Sequence, residues 1–256
     1  MTALRLDVAR ANPVARLITA LLIAVALVFS IDWVSGLVAL ALELLVLLST
    51  GIPLRSFFTR SLPVVIAAAF TALTILLYGA TSGRVHFSFL LIQISDGSIQ
   101  LALATFLRVL AIALPSIMLF TAVDPTELAD GLAQILRLPA RFVLGALAGF
   151  RLLGLLGQDW RYLGYARRAR GVADHGRVRR WAGQAFALLV FAVRRGAKLA
   201  TAMEARGFGA YPTRTWARES TLGAPDAVLV SIGVLISAIA IGVAIATGSW
   251  NFIGAR

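Results

Sequence analysis

Cysteine is absent from this 256-residue chain, which excludes disulfides and thiolate metal sites. Its two histidines, His86 and His175, stand too far apart to read as a ligand pair, so no metal or cofactor site is expected. Acidic residues are few: 12 Asp and Glu face 24 Lys and Arg, a formal net charge of +12. A G-x-x-x-x-G-K-[ST] phosphate loop is also missing. The nearest approach, Gly196, Ala197 and Lys198, lies in a helix-compatible run and lacks the upstream glycine and following hydroxyl, so the chain is not expected to be an ATPase.

What the chain has is apolar residues, at 59%, where an ordinary soluble domain runs near half. It reads as an all-α integral membrane protein. Basic residues beside apolar spans are the cytoplasmic excess that orients a membrane protein, and no interleaved aromatic and basic module points to nucleic acid. Arg5, Arg10 and Arg16 precede the first apolar run without a small-x-small cleavage site, so an uncleaved first span is expected.

Crossing the hydrocarbon layer takes about 20 mainly apolar helical residues. Five runs qualify: Leu17 to Ile31, Val34 to Leu48, Leu62 to Tyr78, Leu101 to Ala122 and Pro225 to Thr247. The first two are short and nearly continuous, and form either a tight hairpin or one bent, partly buried element. Basic residues alternate between the connections. Arg5, Arg10 and Arg16 lie before the first span, Arg55 and Arg60 in the second connection, and 16 of the 24 Lys and Arg between 123 and 223, whereas the third connection has only Arg84. The N-terminus is thereby expected in the cytoplasm and the C-terminus outside.

The expected organisation is N-terminal transmembrane helices over 1–122, a cytoplasmic helical module over 123–223 and a last transmembrane helix over 224–256. Asp124, Pro125 and Glu127 open the module's first helix with a cap, a first-turn proline and an acid three residues on. A second helix runs from about Ala140 to Arg170, its apolar first half lying against or partly in the membrane. A third, from about Ala182 to Ala205, has an apolar stripe, while Arg195, Lys198 and Arg206 share another face. Trp160 and Trp181 either anchor helices at the interface or pack between them.

The second and third helices end alike, in Ala169, Arg170, Gly171 and in Ala205, Arg206, Gly207. One such ending is explained by capping alone: arginine complements the carbonyl end of the dipole and glycine takes the left-handed conformation beyond it. Two endings alike suggest more. An arginine at a blunt helix tip beside small residues can enter a groove and bind a carboxylate bidentately, and a two-fold symmetric partner repeats its grooves.

At these residues the chain resembles the transmembrane T components of energy-coupling factor transporters, ABC-type importers of vitamins and transition metal ions. Thr121 to Leu128, Gln158, Arg161, the run Ala202, Met203, Glu204, and Arg214 with Thr215 are similar to the family too. Phe208 stands where tyrosine is common, and the connection Asp174 to Arg180 is rich in arginine. The resemblance implies long coupling helices that link two ABC-type ATPase subunits, which bind ATP and Mg, to a substrate-binding S component in a bacterial or archaeal cell membrane. Arg170 and Arg206 would each anchor one ATPase, with Arg167, Arg168 and Glu204 in support. A permease of another ABC-type importer, with its own translocation path and a single coupling loop, is the alternative. Membrane enzymes such as prenyl transferases or intramembrane proteases need paired aspartates, a serine-histidine pair or metal ligands, and the spans contain none.

Ionisable residues within spans are costly, so Glu43 and Arg108 need an explanation. Both lie roughly 10 to 14 Å below the outer ends of their spans at about 1.5 Å per residue. An ion pair joining the second and fourth spans is the expectation, against Arg108 snorkelling outward or facing the S component. Pro115 removes a backbone donor from the fourth span, either kinking it or serving packing. His86, Asp96 and Tyr78 are assigned to solvent or an interface.

Overall fold

Local capping chemistry decides where the first helices begin. The computed structural model describes residues 11–30, 32–50, 54–79, 82–89, 92–121, 123–171, 176–211 and 214–250. Arg5, Arg10, Asp174 and His175 lie outside them. Asn12 starts α1 (Pro13–Val28) by accepting the Val14 N–H at 2.9 Å, with Pro13 in the first turn. The Asn12 N–H donates at 2.5 Å to Asp226, and Asp226 also takes the Gly223 N–H at 2.7 Å to start α8 (Ala224–Ala246). One carboxylate therefore ties together two helix starts more than 200 residues apart in sequence.

The first two apolar runs form separate helices in a tight corner, because Asp32 caps α2 (Trp33–Thr50). Its carboxylate accepts the Ser35 N–H at 2.5 Å and the Ser35 hydroxyl at 3.0 Å, and the Ser30 hydroxyl as well. Next come α3 (Leu54–Tyr78), which contains Pro63, and α4 (Asp96–Phe120), which runs continuously through Pro115. Ser95 and Ser98 close a reciprocal capping box at the start of α4, with bonds of 3.3 and 2.9 Å. Between α3 and α4 lies an antiparallel hairpin, β1 (Val85–Phe89) and β2 (Ile92–Ser95), pairing Phe89 with Ile92 and Phe87 with Ile94. Helix periodicity gave no sign of this hairpin, whose alternating apolar residues span only nine positions.

Residues 1–124 and 221–256 form one compact unit, and 125–220 a second. The first is built on small residues: Ala39, Ala111 and Ala240 are wholly buried beside Ile23, Leu27 and Ile236. A Cβ on Gly233 would sit 2.7 Å from the Thr19 methyl of α1, and one on Gly36 would sit 3.1 Å from the Leu107 Cβ of α4. Such close approach is what membrane helices use where no hydrophobic drive separates them from lipid. α3 turns Phe58, Leu62, Ile66 and Phe70 outward, four apolar side chains on one face.

Among the described residues, four helices are long and apolar enough to cross a membrane: Phe57–Tyr78 of α3, α4, α8 and α6 (Ala140–Ala169). α1 and α2 are shorter apolar helices. The chain is an all-α, multi-pass membrane protein with a minimal sheet.

In the second unit, α5 (Pro125–Gln134), α6 and α7 (Arg177–Ala205) precede a strap that returns over α5. The Gln134 side chain donates to the Arg218 carbonyl at 2.9 Å and accepts the Ser220 N–H at 2.9 Å, and Glu127 pairs with Arg218 at 3.1 Å. α6 has no buried residue over its 30 positions.

Candidate functional site: two matching helix ends

α6 and α7 stop in the same way. Arg170 caps α6 at φ −88°, ψ 3°, and Arg206 caps α7 at φ −88°, ψ 8°. Each is followed by a left-handed glycine, Gly171 at φ 67° and Gly207 at φ 73°, a conformation that costs other residues about 1–2 kcal/mol. The Gly171 N–H returns to the Arg168 carbonyl at 3.0 Å, and the Gly207 N–H to Glu204 at 2.9 Å. At the second end the Phe208 N–H also reaches the Met203 carbonyl at 2.9 Å, the outer bond of a Schellman closure. Ala169, Arg170, Ala205 and Arg206 are all exposed. Neither tip arginine nor Glu204 forms an ion pair among the described residues. The capping role and the presentation of an open guanidinium thus coincide in one turn of chain.

The surroundings of the tips differ. Beside the second lies a groove of about 970 Å³ whose walls include Phe142, Met203, Arg206 and Tyr211. Arg141 donates to the Gly209 carbonyl at 3.3 Å, and Arg214 lies between Phe208 and Trp216, 5.9 and 5.4 Å from their ring centres. The loop after Gly207 is therefore held by two arginines, of which Arg141 carried no sequence signal. At the first tip Arg167 turns inward: it donates to the Arg180 carbonyl at 3.0 Å and lies against Gly183. Arg168 stays exposed, 5.8 Å above the Tyr165 ring.

A clamp sets the spacing of α6 and α7. Arg195 grips Asp159 through both terminal guanidinium nitrogens, one bond measuring 3.0 Å, so Arg195 is engaged rather than open along a basic edge. Gln184 donates to the Trp160 carbonyl at 2.5 Å, and Trp160 meets Trp181 edge to face at 5.3 Å, which places these two indoles between helices. Nothing in the sequence couples Asp159 to Arg195 across the intervening loop.

The expected ion pair between Glu43 and Arg108 is not formed. Both Glu43 oxygens are buried without a hydrogen-bond partner, while Arg108 donates to the Ser30 carbonyl at the α1–α2 corner and feels the charge of Asp32. Counting depth from the span ends misled because α4 starts well before α2. Gly36 near the start of α2 packs beside Leu107 and Arg108, which leaves Glu43 two turns further on, beside Leu114 and Pro115. Between the hairpin and α4, His86 meets Asp96 at 2.6 Å, both half exposed.

Two similarly capped helix ends thus stand on a multi-pass helical membrane scaffold. The sequence profile of the CbiQ family, described as cobalt transport protein, matches residues 8–215. The chain belongs to this family, the transmembrane T components of energy-coupling factor transporters. It is 27% identical over 198 residues to the energy-coupling factor transporter transmembrane protein EcfT of Limosilactobacillus fermentum, covering 73% of this chain and 74% of that protein. It is 28% identical over 206 residues to EcfT of Exiguobacterium sibiricum, covering 74% and 78%.

Proposed function

We propose that this T component couples two ABC-type ATPase subunits to a substrate-binding S component, converting ATP-driven closing and opening into uptake of a vitamin or a transition metal ion. The observation that carries this reading is the matched pair of tips: two helices end with the same dihedral angles, the same left-handed glycine and the same exposed arginine. A partner with two equivalent grooves meets both with one recognition chemistry, a carboxylate receiving a guanidinium fork. ATP and Mg belong to those partners, since this chain lacks a phosphate loop. The concentration of Lys and Arg between 123 and 223 supports a cytoplasmic position for the coupling module and the N-terminus.

Co-expression with the two ATPases tests the reading. Arg170→Ala together with Arg206→Ala should cost a few kcal/mol per contact, about a hundredfold in affinity, and should uncouple ATP hydrolysis from uptake. Unchanged co-purification and transport in the double variant reject the assignment. Glu204→Gln and Arg168→Ala, beside the tips, should have smaller effects of the same sign.

A further inference from the structure

A second basic feature lies within the α6–α7 pair and shares Arg167 and Arg168 with the surroundings of the first tip. Arg161, Arg167, Arg168 and Arg180 line a pocket of about 230 Å³ walled by Trp160 and Trp181. No acidic side chain lines it among the described residues, and the nearest acid along α6, Asp159, is already taken by Arg195. Arg167 is fixed by the Arg180 carbonyl and Arg168 lies on Tyr165, while Arg161 is exposed and makes no ion pair among the described residues. On the face of α6 that lines the pocket, Phe150 and Leu153 are exposed about two to three turns before Trp160.

We propose that this pocket binds the phosphate of an anionic phospholipid, with Arg161 and Arg168 on the headgroup and the Phe150–Leu153 face of α6 along an acyl chain. Arginine forks match phosphate oxygens bidentately, and tryptophan beside arginine is the pairing that suits the headgroup level of a bilayer. A free phosphate would use only the guanidinium groups. A lipid uses both the charge and the exposed apolar face that continues from it along α6. The proposal does not depend on ATPase docking, and the tip arginines Arg170 and Arg206 lie outside the pocket lining.

The test uses the full chain purified in detergent and equilibrated with micelles containing phosphatidylglycerol or phosphatidylcholine, with retained lipid read by native mass spectrometry. The expected result is selective retention of phosphatidylglycerol, weakened about tenfold for each guanidinium lost in Arg161→Ala and in Arg161→Ala/Arg168→Ala. Arg161→Ala removes an exposed side chain, and an unchanged melting temperature in phosphatidylcholine shows that it folds. Arg170→Ala/Arg206→Ala should retain the lipid as the parent does, which separates this site from the docking tips. Equal retention of both lipids, or selectivity unchanged in the pocket variants, overturns the proposal. So does displacement of the lipid by millimolar inorganic phosphate, which would mark a free-anion site. Loss of ATPase co-purification in Arg161→Ala with lipid retention intact would assign the pocket to a protein partner instead.

Discussion

Replacing Asp32 by Ala should destabilise the transmembrane unit by about 3 kcal/mol, an effect that follows from what its carboxylate holds. The side chain is 4% exposed and accepts from the Ser35 N–H, the Ser35 hydroxyl and the Ser30 hydroxyl. Loss of the α2 cap costs about 1 kcal/mol. The buried Ser30 and Ser35 hydroxyls would lose their charged acceptor, at about 1 kcal/mol each. The sum is roughly a 150-fold change in the folding equilibrium. Denaturation in mixed micelles of increasing SDS fraction measures it. Asp32→Asn, which keeps an acceptor for the cap, should lose less than Asp32→Ala. If Asp32→Ala unfolds within about 0.5 kcal/mol of the parent, the corner does not work in this way.

Three other substitutions probe separate contacts. Glu43→Met should stabilise the fold by about 1–3 kcal/mol, since it replaces a buried carboxylate with two unbonded oxygens in a cavity of about 30 Å³; a loss of stability in the same SDS titration refutes this. Gly233→Leu should lower stability by about 1–3 kcal/mol by driving α8 from α1, with the Thr19 methyl as the obstruction, and an unchanged melting temperature would contradict that packing. Gly207→Val should distort the second tip at a local cost of about 1–2 kcal/mol and reduce ATPase co-purification. Gly157→Ala, in a helix interior with nothing within 4 Å, should leave co-purification unchanged, and equal behaviour of the two variants would show that the glycine closure is dispensable.

Features written in local chemistry were legible from sequence. The start of α6 at Ala140, the proline-led start of α5 and the two arginine-glycine closures all lie in patterns a few residues long. The α1–α2 break was harder, although Asp32 with Ser35 three residues later is a capping pattern of the same kind. Contacts that depend on register between distant helices were not legible. The partners of Arg108 and Arg195 are fixed by how far one helix has slid past another, and neither periodicity nor depth counting contains that offset. Hairpin β1–β2 escaped because strands of five and four residues leave too little alternation to rise above the apolar background. The match between the tips was the reverse case: repetition within one chain stood in for a missing partner.

An uncovered α6 has a consequence for the cell that makes this subunit. Thirty helical residues, none of them enclosed by the protein's own side chains, leave Phe142, Phe150 and Leu153 waiting for company. Surplus copies would display that greasy rod to the proteases and chaperones that triage unassembled chains, so the abundance of the subunit should track that of its complex even without transcriptional control.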